Sequence, residues 1–161
     1  MTVKILCEMN GTDVGVKALS KKVMLIGASG AGKSSLIKAI VGTGEARKTQ
    51  AVTFCDGFID IPGEYMDIPR LNYAVTTTAM EADAIFVVQD ATSLKPTTPP
   101  GFCSMFNVPV FGIITKIDLP TANIDRAKRN LELCGVKGEY YPVSSVTREG
   151  IEELKKLIEG I

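Results

Sequence analysis

The sequence predicts a three-layer α/β domain: a mostly parallel sheet with one antiparallel edge strand, covered by helices on both faces. Three observations carry this. Apolar runs at 23–26, 84–88 and 108–114 have the unbroken hydrophobic character of strands buried on both faces. Segments with apolar residues at helical spacing alternate with them, at 35–40, 124–134 and 151–158. The first strand runs into the first helix through Gly27-Ala28-Ser29-Gly30-Ala31-Gly32-Lys33-Ser34, a G-x-x-x-x-G-K-S loop.

Taken in order, residues 1–20 read as an N-terminal extension, with a short strand at 3–9, a turn at Asn10-Gly11-Thr12-Asp13, and a role as edge strand or docking segment. The domain proper is 21–161. A strand at 21–26, the glycine-rich loop and a helix from 33 to 41 lead to Gly42-Thr43-Gly44, a helix end. Residues 45–50 read as an exposed polar loop. Short strands at 51–55 and 57–61 meet at Asp56-Gly57, a hairpin signal. An irregular loop then leads into a helix within 66–80 that contains Ala74, Val75 and Met80, and the strand at 84–88 follows. Pro96, Pro99, Pro100 and Pro109 punctuate the stretch where a crossover helix belongs, so at most a short helix fits at 102–106. A strand at 108–114, a helix at 123–133 closed by Gly135, a strand at 140–143 and a final helix complete the chain.

Composition narrows the function classes. The chain's 161 residues fit one domain with a buried core, and 45% hydrophobic against 22% charged residues is a globular balance. A formal net charge of zero argues against nucleic acid as a partner. No apolar run approaches the roughly 20 residues that span a bilayer, and the N-terminus lacks the apolar region of a signal peptide. Cys7, Cys55, Cys103 and Cys134 are scattered, which suits reduced thiols in a cytoplasmic chain. With no histidine, His-based triads and most zinc catalysis are excluded. Nothing in the sequence specifies an oligomeric state.

The chemistry gathers at strand ends. Glycines at 27, 30 and 32 let successive backbone N–H groups converge on a phosphate at a helix N-terminus, and Ala28, Ser29, Ala31 and Ser35 complete that lining. Lys33 is placed to reach the β- and γ-phosphates, and the Ser34 hydroxyl to bind Mg²⁺. Asp60, in Asp60-Ile61-Pro62-Gly63, can hold the metal through water, while the Gly63 N–H senses the γ-phosphate. In Thr115-Lys116-Ile117-Asp118, a carboxylate at Asp118 accepts from the N1–H and NH₂ of guanine, a donor pair that adenine lacks. The Lys116 stem covers the base plane. Backbone N–H groups of Ser144-Ser145-Val146 reach the guanine O6.

The order G-x-x-x-x-G-K-S, D-x-x-G, [NT]-K-x-D, S-x resembles the Ras-like GTPases over nearly all of 21–160. Within them the chain resembles the EutP/PduV family of ethanolamine- and propanediol-utilisation proteins. Met24-Leu25-Ile26-Gly27, Lys48-Thr49-Gln50-Ala51, Asp60-Ile61-Pro62-Gly63-Glu64-Tyr65, Val88-Gln89-Asp90-Ala91-Thr92 and Pro99-Pro100-Gly101-Phe102 carry that likeness. The resemblance implies a bacterial, cytoplasmic protein that binds GTP or GDP with Mg²⁺. It also implies association with a metabolic microcompartment, through a shell or enzyme partner.

Against the wider superfamily, Thr115 replaces the commoner Asn that ties the guanine loop to the phosphate loop, and its shorter hydroxyl suggests a weaker tie. Ser29 adds a side chain near the γ-phosphate, and Gly30 stands where potassium-activated GTPases place Asn. Glu64 follows D-x-x-G where a water-orienting Gln often stands, so slow hydrolysis is expected. Lys33, Gly63 and Glu64 are the catalytic candidates; Ser34, Thr49 and Asp60 are the metal candidates, with Thr43 and Thr53 as rivals to Thr49. Arg47 and Lys48 read as a solvated basic pair or as charge supplied in cis. Two functions follow: a GTP-driven switch, or a phosphotransferase passing the γ-phosphoryl of ATP or GTP to a small carboxylate such as acetate. The second needs a cationic acceptor pocket, for which Arg47, Lys48 and Arg70 are the candidates.

Overall fold

The computed structural model describes residues 21–42, 53–55 and 57–161. The expected strand at 3–9, the loop at 45–50, and Thr43, Arg47, Lys48 and Thr49 lie outside them. Strands β1 (Val23–Ile26), β2 (Thr53–Cys55), β3 (Phe58–Asp60), β4 (Ala84–Asp90), β5 (Val110–Thr115) and β6 (Tyr140–Pro142) form one sheet in the order β2-β3-β1-β4-β5-β6. Every neighbouring pair is parallel except β2 with β3, where Cys55 lies opposite Phe58 and Thr53 opposite Asp60. This is the expected sheet with one antiparallel edge.

The apolar runs are unbroken because each strand buries both faces. Met24, Ile26, Ile85 and Val87 point to one layer, which holds α3 (Asn72–Ala79) and α4 (Ile124–Cys134) through Val75, Ala127 and Leu131. Val23, Leu25, Phe86 and Val88 point to the other, holding α1 (Lys33–Val41) and α5 (Ile151–Gly160) through Leu36, Ile151, Leu154 and Ile158. Period-two alternation along the strands divides them between the two cores. Each fully buried Leu or Ile contributes about 1.5–3 kcal/mol.

Two stretches depart from the expected elements. The chain after Asp60 is not irregular from 66 onward but forms a short helix α2 (Glu64–Asp67) and a 3-10 turn (Pro69–Leu71) before α3. Glu64 opens α2, where a negative charge suits the helix N-terminus. Pro69 forces its predecessor Ile68 into extended geometry, with φ −111° and ψ 105°, which ends that helix. The second departure follows β4, which continues two residues past the apolar run, through Gln89 and Asp90. As expected, no crossover helix follows. Residues 91–106 form a strap with a single 3-10 turn (Phe102–Met105). Arg126 of α4 takes over the hydrogen bonding that a helix supplies internally. Its Nε donates to Ser93 O at 3.2 Å, and its Nη2 to Ala91 O and Thr92 O at 3.3 Å each.

Because β1, β3, β4, β5 and β6 run in one direction, the loops that follow them emerge at one edge of the sheet. In an open α/β sheet, ligands bind at that edge.

Candidate functional site

At that edge the phosphate loop leaves β1. Gly30 and Gly32 have φ +77° and +96°, left-handed values that alternate with ordinary ones and turn successive N–H groups inward. Lys33, the first residue of α1, is only 7% exposed. Its Nζ donates to Gly27 O at 2.9 Å and Ala28 O at 3.0 Å, so the ammonium spans the mouth of its own loop. Burial pulls its pKa below the ordinary lysine value; the carboxylates of Asp60, Glu64 and Asp67 oppose that shift without cancelling it.

Ser34 Oγ donates to Asp60 Oδ2 at 2.7 Å, which brings together two of the three metal candidates. Among the described residues no trio of His, Cys, Asp and Glu could hold a metal by itself. A hydroxyl beside one carboxylate nevertheless suits Mg²⁺, which keeps most of its waters and takes few protein ligands alongside phosphate oxygens. The donor set therefore fits the expected metal. Of the third candidate and its rivals, the described residues include only Thr53, in β2 opposite Asp60.

Gly63 is pressed onto the loop. A Cβ built there falls 2.2 Å from Ser29 N and 2.6 Å from Ala28 C, so no other residue fits without movement. Next to it, Glu64 is exposed, and Ser29 Oγ donates to its Oε1 at a long 3.4 Å. All three catalytic candidates thus meet at the loop. Arg70 is exposed in the 3-10 turn after α2, and the acidic groups that act on Lys33 are Asp60, Glu64 and Asp67.

A second cluster follows β5. Thr115 is buried, and its Oγ1 donates to Ala31 O at 2.5 Å, with a longer contact to Gln89 O at 3.4 Å. Thr115 thus makes the tie to the phosphate loop itself. Loop and threonine are close enough, with a Cβ on Gly32 only 3.6 Å from Thr115 Oγ1, for the short side chain to reach. Lys116 adopts φ +61° and is held there by Gly30 O at 2.7 Å and Asp90 Oδ2 at 2.6 Å. Asp118 Oδ1 accepts from Ser144 Oγ at 2.7 Å, and the same Ser144 oxygen accepts from Val146 N–H and Thr147 N–H. A cavity of about 190 Å³ lies between these loops, lined by Gly32, Ser35, Thr115, Lys116, Asp118, Ser145 and Val146.

The sequence reading did not single out Asp90 for a role. Its carboxylate accepts from Thr92 N–H and Oγ1 as well as from Lys116. Burial pushes its pKa up, but these bonds outweigh burial and hold it below the ordinary carboxylate value. The available signal was a charged residue closing a buried strand, with a lysine at the end of the adjacent one.

The sheet order and the helices on both its faces are those of a P-loop GTPase G-domain. The FeoB G-domain from Methanococcus jannaschii superposes with a TM-score of 0.60 at 26% identity, covering 86% of this chain and 95% of that one. In sequence, the model of the PduV-EutP family, described as ethanolamine utilisation – propanediol utilisation, matches residues 20–160, so the chain belongs to that family. The propanediol utilization protein PduV of Citrobacter freundii is 35% identical, over 83% of this chain and 90% of its own. A protein of Escherichia coli K12 named "Probable acetate kinase EutP" is 32% identical, over 83% of this chain and 86% of its own. The family resemblance read from the motifs is borne out.

Proposed function

We propose that the chain binds GTP and GDP with Mg²⁺ and hydrolyses GTP slowly, as a switch or organising element of ethanolamine or propanediol metabolism. One observation carries this: the Asp118 carboxylate, fixed by Ser144, lines a cavity that leads back to a lysine-closed phosphate loop. An acid held there by one oxygen keeps its other oxygen for the guanine N1–H and NH₂, whereas adenine leaves it badly paired. Lys116 covers the base plane, and the Ser145 N–H donates to O6.

At the other end, N–H groups of the loop between Ser29 and Ser35 cradle phosphates, and Lys33 exchanges its two carbonyl partners for phosphate oxygens. Ser34, Asp60 and Thr49 hold Mg²⁺, directly or through water. The metal, when bound, supplies neutralisation of charge building on the phosphate oxygens. Gly63 N–H reports the γ-phosphate. Glu64 orients the attacking water but repels those oxygens, which keeps turnover slow. Withdrawal of Gly63 and α2 from Ser29 is the motion by which triphosphate and diphosphate forms differ. A microcompartment shell or enzyme protein is the proposed partner, in the cytoplasm.

The name of the E. coli relative favours a second reading, transfer of the γ-phosphoryl to acetate. A carboxylate acceptor requires positive charge next to Lys33, and the described charges there are Asp60, Glu64 and Asp67. Two of the three cationic candidates, Arg47 and Lys48, lie outside the described residues. Phosphate release and acetyl phosphate formation, followed with GTP and with ATP, with and without acetate, decide between them. GTP-selective phosphate release indifferent to acetate is expected; acetate-dependent consumption of nucleotide that yields acetyl phosphate overturns the hydrolase reading.

A further inference from the structure

The strap 91–106 is fastened to the phosphate loop from behind. Thr97 is buried, and its hydroxyl sits between two backbones: Oγ1 donates to Val88 O and accepts from Ala28 N–H, both at 2.7 Å. Its own N–H donates to Oε1 of Gln89, a side chain 1% exposed, at 2.9 Å. The Gln89 Nε2 in turn donates to Asp90 O and Lys95 O, each at 3.1 Å. A Cβ on Gly27 would lie 2.5 Å from Val88 O and 2.9 Å from Thr97 Oγ1, so strand end, strap and loop entry touch without a gap. Only a hydroxyl can both give and accept at this point. Valine, of similar shape, would strand a buried N–H and a buried carbonyl. None of the nucleotide contacts proposed above uses Thr97.

We infer that Thr97 is a positioning residue for phosphate binding. It anchors the entry of the loop at Ala28, so that the N–H groups further along converge where the β-phosphate lies. It also couples the strap to occupancy of the loop. The inference rests on reading Gly27–Ser34 as a phosphate-binding loop. Coupling is reciprocal, so filling the loop steadies the strap as much as the strap steadies the loop.

Thr97→Val beside Thr97→Ser, in the full chain, tests this by calorimetric titration with GDP and GMP. Thr97→Val is expected to weaken GDP by about tenfold and GMP distinctly less, because GMP lacks the β-phosphate that the loop cradles. Thr97→Ser keeps the hydroxyl and restores GDP affinity. Equal losses for the two nucleotides, or a loss that serine does not rescue, overturn the inference. If Thr97→Val does not fold, the unmodified protein decides through amide hydrogen exchange. Slower exchange at 94–100 on addition of GDP supports the coupling, and protection confined to 27–34 overturns it. If the unmodified protein binds no guanine nucleotide, the guanine reading fails separately. Exchange of the Ala28 amide without nucleotide then decides: faster in Thr97→Val than in Thr97→Ser supports the anchor, and equal rates refute it.

Discussion

Replacing Gly63 by alanine isolates close packing from backbone conformation. Gly63 has φ −59° and ψ −31°, right-handed helical values that alanine adopts readily, so no dihedral strain is introduced. The added methyl, however, falls 2.2 Å from Ser29 N, 2.3 Å from Ser29 Cα and 2.6 Å from Ala28 C. Carbon atoms in contact keep about 3.5 Å or more apart, so the two segments must part by about 1 Å. The loop side is pinned by Thr97 at Ala28 N–H and by Lys33 at two carbonyls, so the movement falls on 62–67. Overpacking of this kind costs about 1–3 kcal/mol, against a gain of about 0.4–1 kcal/mol from the stiffer unfolded chain. The net loss is about 1–2 kcal/mol, which lowers Tm by about 2–8 °C in a domain of this size. Thermal unfolding followed by circular dichroism, without added nucleotide, measures it. An unchanged or raised Tm would show that Gly63 does not rest on the phosphate loop, and would remove the proposed withdrawal of α2.

Other expectations follow from the same geometry. Asp118→Asn keeps an oxygen for Ser144 but turns an amide toward the base, so GTP weakens by about 100-fold or more while xanthosine triphosphate gains. An unaltered order in a competition titration would mean that Asp118 does not read the base. Lys33→Ala removes the ammonium that bridges Gly27 O and Ala28 O, and triphosphate affinity should vanish; tight binding retained in that variant sinks the phosphate-loop assignment. Asp90 titrates below its ordinary 3.8 in the folded chain. Its stabilisation is therefore complete above that value and is lost as pH falls through the lower folded value. Asp90→Asn should accordingly lower Tm at neutral pH, with the difference from the parent shrinking below about pH 4. A difference that does not change with pH would place the effect in packing instead of charge.

Much of the fold was legible because hydrophobic pattern and motif agree. The runs at 23–26 and 84–88 have no polar break, and both proved to be central parallel strands with two buried faces. The phosphate loop was legible because glycine spacing, lysine and flanking elements form one short contiguous signal. Local signals failed where the partner is distant in the chain. Nothing near Gln89 or Thr97 reveals that one receives the other's N–H and that the threonine then holds Ala28, 69 residues away. Asp90 and Lys116 are 26 residues apart and meet only because β4 and β5 are neighbours. The short helix α2 was missed for a different reason. Four residues carry too little periodicity to read, and its start is set by the seat of Gly63 on another loop.

The position of the Lys33 ammonium has a consequence for exchange. Held by Gly27 O and Ala28 O, the buried charge is satisfied by its own loop, at two bonds near 3 Å. On the proposed reading, phosphate binding there would be a substitution: two carbonyl partners leave as phosphate oxygens arrive. Affinity is consequently a difference between two well-bonded arrangements, not the full strength of an ammonium–phosphate pair. The same two bonds ease release, because the departing phosphate leaves behind a lysine that closes on its own backbone. On the proposed reading, Lys33 would be the ligand to the phosphate, and Gly27 O and Ala28 O the groups that take the phosphate's place.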